Sequence, residues 1–203
     1  MAAAILTIQL GLLCMRPLQA WLNVFHRWLT VSHACSAALH WWRTTSHLRE
    51  GVRMGVVLNR QVVMTDASNL GWGAVWEGRG VRVSWPDCWT SLHLNMLELQ
   101  AVSLALHHFL PVLSGTHVLI RTDNTTVVAY IHHHGDLRSP GLHRTAFRLL
   151  TWVQRNLLSL RATHIPGAVN WAAGLLSRKG PHPSEWQLHH QTVERIWERF
   201  GKA

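Results

Sequence analysis

Acidic residues are scarce in this chain. Ten Asp and Glu stand against nineteen Lys and Arg in 203 residues, a net charge of +9 with histidine neutral. Lysine is scarcer still: only Lys179 and Lys202 occur, and every other basic residue is arginine, whose planar fork suits bidentate phosphate contacts. That balance fits a polyanionic partner, and it fits a plain soluble basic surface equally well. Tyrosine appears once against twelve tryptophans; tryptophans serve cores or stacking surfaces, and spacing alone does not sort them. The three cysteines, Cys14, Cys35 and Cys88, are odd in number and lack metal-ligand spacing. They argue against structural zinc and for a reducing intracellular compartment. No apolar run is long enough to cross a bilayer. The apolar stretch 1–15 has no basic start and runs into Arg16-Pro17 instead of a small-residue cleavage site, so a packed segment is expected there and not a signal peptide.

What is present is a pair of similar stretches. Val62-Val63-Met64-Thr65-Asp66-Ala67-Ser68 and Val118-Leu119-Ile120-Arg121-Thr122-Asp123-Asn124 are each an apolar run that ends in Thr-Asp and a small or turn-forming residue. Each reads as a buried strand that delivers a carboxylate at its end. Between them a helical pattern over 94–110 carries one acid, Glu98, on the face of Val102, Ala105 and Phe109, at offsets of four, seven and eleven. Three of the few acids thus sit where apolar elements present them inward, which is costly unless they are paired or bind a cation.

The length allows one domain with a sizeable core plus an extension. Residues 1–50 read as amphipathic helix, with Leu12, Leu13, Met15, Leu18, Leu22, Phe25, Trp28 and Leu29 at three- and four-residue steps and a kink at Pro17. So much apolar surface suggests packing against a neighbouring domain. After a connector over 51–60, strands are expected at 61–66, 71–77 and 80–85, punctuated by Asn69, Gly71, Gly78 and Gly80 as hairpin turns. The helix beginning at His93-Leu94, or capped by Asn95, ends at Pro111. A fourth strand spans 117–123. A helix over 124–134 is capped by Asn124 or Thr125, and a longer one follows over 139–156. On the longer helix Leu149, Leu150, Trp152 and Val153 form the inner face, and Arg144, Arg148 and Arg155 are candidates for a basic face. The run His132-His133-His134 reads as a solvated helix end, because sequence neighbours on a helix point apart. A fifth strand over 157–164, a short helix over 170–178, a boundary at Pro181 and Pro183 and a last helix over 184–200 complete the chain. Three hairpin strands followed by alternating helices and strands give a mixed sheet covered by helices. If the strands ending at Asp66 and Asp123 are parallel neighbours, their carboxylates meet, and Glu98 reaches them from the helix across the sheet.

Three convergent carboxylates raise one another's pKa, and a hard divalent cation removes that cost. Two such ions can activate a water and steady the leaving oxygen of a phosphodiester. An arginine-rich surface then holds the nucleic acid.

The ordered set Thr65-Asp66-Ala67-Ser68, Leu97-Glu98-Leu99, Thr122-Asp123-Asn124, His164-Ile165-Pro166-Gly167-Ala168-Val169-Asn170 and Leu176-Ser177-Arg178 resembles a retroelement ribonuclease H domain. More narrowly, the chain resembles the reverse transcriptase–ribonuclease H region of DIRS-type retrotransposons. Gly11-Leu12-Leu13-Cys14-Met15-Arg16-Pro17-Leu18-Gln19 and Trp41-Trp42 look like its polymerase-connection segment. Trp186-Gln187-Leu188-His189 and Ile196-Trp197-Glu198-Arg199-Phe200-Gly201 look like its C-terminal extension. The resemblance implies an α/β ribonuclease H-like fold, a five-stranded mixed sheet of three antiparallel and then two parallel strands flanked by helices. It implies a connection segment over 1–58, the nuclease domain over 59–180 and an extension over 181–203. It implies metal-dependent cleavage of the RNA strand of RNA–DNA hybrids, with Mg²⁺ or Mn²⁺ held by Asp66, Glu98 and Asp123, and a reverse transcriptase polymerase domain as partner. His164 matches a histidine that assists catalysis or product release; Ser68, Asn124 and Asn170 match substrate contacts. The family carries a fourth acid where this chain has Gly174, in Asn170-Trp171-Ala172-Ala173-Gly174-Leu175-Leu176-Ser177-Arg178. One metal position therefore loses a ligand. An inactive nucleic-acid-binding or inter-domain module stays open beside the nuclease. A transposase or integrase core, which shares the fold, is disfavoured because Glu98 precedes the second strand aspartate.

Overall fold

The computed structural model describes residues 11–24, 31–43, 57–136, 138–178 and 190–201. The elements in chain order are α1 (Gly11–Val24), α2 (His33–Arg43), β1 (Gln61–Ala67), β2 (Gly71–Trp76), β3 (Arg79–Ser84), α3 (Leu94–His108), the single turn α4 (Leu110–Leu113), β4 (His117–Thr122), α5 (Thr125–His132), α6 (Pro140–Asn156), β5 (Ser159–His164), α7 (Trp171–Arg178) and α8 (His190–Phe200). The five strands form one sheet in the order β3-β2-β1-β4-β5. β3, β2 and β1 pair antiparallel through two short turns. β4 runs parallel to β1, and β5 runs parallel to β4. Parallel neighbours need long crossovers, and helices α3, α5 and α6 supply them. Three antiparallel strands, then two parallel ones, flanked by helices, is the architecture the sequence implied.

Strand alternation sorts the two faces of the sheet. Val63, Trp72, Ala74, Trp76, Val118 and Ile120 are buried together with Leu97, Leu99, Val102 and Leu106 of α3 and Leu149 and Val153 of α6. Burying each such side chain is worth roughly 1.5–3 kcal/mol, so this layer carries most of the fold. The other face takes α7. Gly73, opposite Asp66 in the β1–β2 register, lets that helix approach: a Cβ there would overlap Leu176 and sit 2.7 Å from the carbonyl of Ala173. α1 lies against the domain at another point. Leu13 is buried with Leu150 of α6, Arg16 donates to the carbonyls of His133 and Gly135 at 2.9 Å each, and Cys35 of α2 donates to the carbonyl of Pro17 at 3.4 Å.

Some boundaries differ from expectation for local reasons. α3 ends at His108, and Pro111 opens α4, where a missing N–H is tolerated. The N-cap of α3 is His93, whose Nδ1 accepts from the Asn95 N–H at 3.2 Å, so Asn95 lies inside that helix. Asn124 caps α5 by accepting from the Val127 N–H at 3.1 Å. That helix stops at His132, and His134 turns left-handed at φ 52°. β5 starts two residues later than its apolar run. Pro17 sits inside α1. The boundary at Pro181 and Pro183 and the first six residues expected in the last helix lie outside the described residues.

Candidate metal centre

β1 places Asp66 next to its end, and Asp123 is the first residue past β4. The parallel register sets Met64 opposite Arg121; two residues further on, Asp66 stands beside Asp123 on the same side of the sheet. Glu98 arrives from the second turn of α3. One carboxylate oxygen from each of the three lies within 4.8 Å of the others. Asp66 and Glu98 are 2% and 3% exposed, and Asp123 is half-buried.

Burial, and then the charge of Asp66, push the Glu98 carboxyl up to about 8; Asp123 adds to this, while the Ala67 N–H and Arg178 act the other way. Burial also raises Asp66, with Asp123 adding and Ser177 and Arg178 opposing. Glu98 Oε2 is buried without a hydrogen-bond partner among the described residues. An orphaned buried carboxylate oxygen is expensive, and three carboxylates without Cys or His form a hard-oxygen donor set. The residues therefore fit a divalent cation.

α7 completes the site without a carboxylate. A Cβ on Gly174 would lie 3.9 Å from Asp66 Cγ, in ordinary contact, so the position faces Asp66 with room for a side chain. Two residues of the same helix act on Asp66 instead. Ser177, 1% exposed, donates its hydroxyl to Asp66 Oδ2. Arg178 Nη2 lies 3.9 Å from Asp66 Oδ1. Neither had been given a role from sequence. Their signal was their place three and four residues after Gly174, which puts them on its helix face.

Gly167 also belongs to the centre, and it too had no role from sequence. It follows β5 so closely past Asp123 that a Cβ would meet Asp123 Oδ2 at 2.9 Å. The loop is tied down by the Ile165 N–H donating to the Thr122 carbonyl at 2.9 Å. His164 ends β5 in register with Thr122 and is exposed, so it flanks the carboxylates without joining them. The Ser68 hydroxyl donates to the Ser177 carbonyl at 2.5 Å and accepts from the Leu70 N–H at 3.1 Å. Besides capping α5, Asn124 donates to Asn95 Oδ1 at 3.0 Å. Asn170, expected as a substrate contact, is 1% exposed and donates its amide to the Thr65 carbonyl at 2.9 Å, while its Oδ1 is buried without a hydrogen-bond partner among the described residues. It ties the start of α7 to β1.

No family model matches the chain, and no curated protein sequence matches it. Solved structures do. The ribonuclease H1 of the halophilic archaeon Halobacterium salinarum is similar at 19% identity over 58% of this chain and 94% of its own, with a TM-score of 0.45. LC11-RNase H1, solved in complex with an RNA/DNA hybrid, is similar at 19% identity over 58% of this chain and 93% of its own, TM-score 0.48. Prototype foamy virus protease–reverse transcriptase is similar at 9% identity over 75% of this chain but 21% of its own, TM-score 0.41. No helix among the described residues is long and apolar enough to cross a membrane.

Proposed function

We propose that this chain is the ribonuclease H part of a DIRS-type retrotransposon reverse transcriptase, and that it hydrolyses the RNA strand of RNA–DNA hybrids with a divalent metal, Mg²⁺ or Mn²⁺. The observation that supports this reading best is the convergence of Asp66, Glu98 and Asp123, from two parallel strand ends and a crossing helix, within 4.8 Å. When bound there, the cation would supply a water of lowered pKa and charge stabilisation at the phosphodiester. The protein's own groups do the rest. Ser177 and Arg178 fix the two oxygens of Asp66, the Ala67 N–H orients Glu98, and Gly167 leaves Asp123 its place. His164, exposed at the end of β5, passes a proton to or from solvent beside the cluster. Ser68 and Asn124, at the ends of β1 and β4, meet the substrate near the 2′-hydroxyls that mark the RNA strand. In this reading residues 1–58 connect to a polymerase domain, 59–180 form the nuclease and 181–203 extend it.

Gly174 favours a second reading, a hybrid-binding or inter-domain module without catalysis, since that position faces Asp66 and brings no fourth ligand. Cleavage of a labelled RNA–DNA hybrid in Mg²⁺ and in Mn²⁺ separates the two. Cutting by the natural chain but not by Asp66→Asn establishes the enzyme with three carboxylates. Cutting by Gly174→Asp alone establishes the disarmed module. No cutting by either, with no metal binding that depends on Asp66, removes the nuclease reading.

A further inference from the structure

α6 carries a feature that the carboxylate centre does not use. Its seventeen residues include no acid. Arg144, Arg148 and Arg155 are spaced four and seven apart, which at 100° per residue places them within about 40° of one another on the helix. That arc is opposite the buried face of Leu142, Ala146, Leu149 and Val153, and all three arginines are exposed. None makes an ion pair among the described residues. Rings flank the row. Phe147 is 41% exposed on one side; on the other, Trp152, half-buried against the core, lies tilted at 30° to the exposed His107 of α3, their centres 4.2 Å apart. The row is separate from the metal centre, where Arg178 is the cation acting on Asp66 and Glu98.

We infer that the outer face of α6 is a second nucleic-acid-binding surface, one that holds a single strand by its phosphates while Phe147 and the Trp152–His107 pair meet its bases. Eleven residues of helix rise about 16 Å, the reach of several consecutive phosphates of one strand. Guanidinium rows take phosphates in bidentate fashion. Aromatic rings at the edges of a basic row are how proteins hold single strands without reading sequence. An acidic protein would satisfy the arginines but leave the rings unused, and so the observations favour a nucleic acid.

The test measures binding of a 20-nucleotide single-stranded RNA to the full chain across a salt series, by fluorescence anisotropy without divalent metal. The triple substitution Arg144→Gln, Arg148→Gln, Arg155→Gln should weaken binding at least about tenfold and flatten the slope of log K against log salt by about 2, at roughly 0.7 per phosphate released. The triple lysine variant should keep most of the slope, which excludes a folding defect. Phe147→Ala should weaken binding about fivefold or more with the slope unchanged. An unchanged slope in the glutamine variant overturns the proposal. So does polyglutamate competing as well as RNA at equal charge, which would assign the face to an acidic protein. The binding is measured without divalent metal and needs no cleavage, so a failed nuclease reading leaves this result standing.

Discussion

Replacing Glu98 by glutamine should stabilise the metal-free protein, and by more at high pH than at low. An unfolded chain releases this proton near 4.5, whereas the folded one holds it to about 8. Between those values the folded state binds more protons than the unfolded, so this group's contribution makes stability fall as pH rises. The interval, at about 1.4 kcal/mol per pH unit, sets a ceiling of about 5 kcal/mol. Local relaxation and water entry on ionisation bring the expected loss to about 2–4 kcal/mol. Glutamine keeps an oxygen for the Ala67 N–H and carries no charge, so Glu98→Gln escapes that loss. At pH 5 the natural side chain is already neutral. For a chain of this size, about 2–4 °C per kcal/mol converts the difference into roughly 4–16 °C of extra Tm advantage at pH 9 over pH 5. Thermal unfolding of both proteins in EDTA at the two pH values measures it. Histidine titration and general charge effects act on both proteins and cancel in the comparison. Equal advantage at pH 5 and pH 9 would refute the reasoning, because Glu98 would then titrate as an ordinary surface carboxyl. Mg²⁺ at pH 9 should recover stability in the natural chain and not in the variant.

Ser177→Ala removes the hydroxyl donor from a buried Asp66 oxygen; metal affinity should fall about 10- to 100-fold, read by Mn²⁺ titration followed by EPR. Gly167→Ala drives a methyl onto Asp123 Oδ2, so Mn²⁺ binding should weaken while the metal-free Tm moves by under about 1 kcal/mol equivalent, since the displaced group is a side-chain end at the surface of the site. Leu13→Ala opens the contact of α1 with Leu150 and should cost about 2–5 kcal/mol of docking, seen as faster proteolysis within residues 11–43 at unchanged metal affinity.

The sheet and the three acids were legible in the sequence because each rests on a local signal. An apolar run closed by Thr-Asp marks a buried strand end whichever partner it finds, and Val102, Ala105 and Phe109 fix the inward face of α3 around Glu98. The cap at Asn124 was legible for the same reason: its partner Val127 is three residues away. The helix boundaries moved where two local signals competed, as His93 and Asn95 did for one cap. Contacts across the chain were out of reach. Ser177 meets Asp66 across 111 positions and Asn170 meets Thr65 across 105; a helical window says that Ser177 shares a face with Gly174, and not that it meets a carboxylate or that an asparagine donates to a strand carbonyl. Gly167 is a further case, since a glycine after Ile-Pro reads as a turn until the strand beside it is known.

Those distant contacts give α7 a definite physical role in a site to which it brings no acid. Asp66 has a hydroxyl on one oxygen and a guanidinium near the other, and both favour its ionised form, against burial and the neighbouring Asp123 charge. A carboxylate at position 174 would stand on the same helix face, a short side chain away from Asp66. Without a cation it would add like charge to a cluster that already holds a proton on Glu98 to about pH 8. With glycine there, the metal-free cluster carries less repulsion. Under the proposed function the metal would have one ligand fewer, while Ser177 and Arg178 of the same helix act on Asp66. Under the proposed function, lower repulsion without metal and weaker metal coordination would be two consequences of one missing side chain, set against the roughly 1 kcal/mol that glycine costs within a helix relative to alanine.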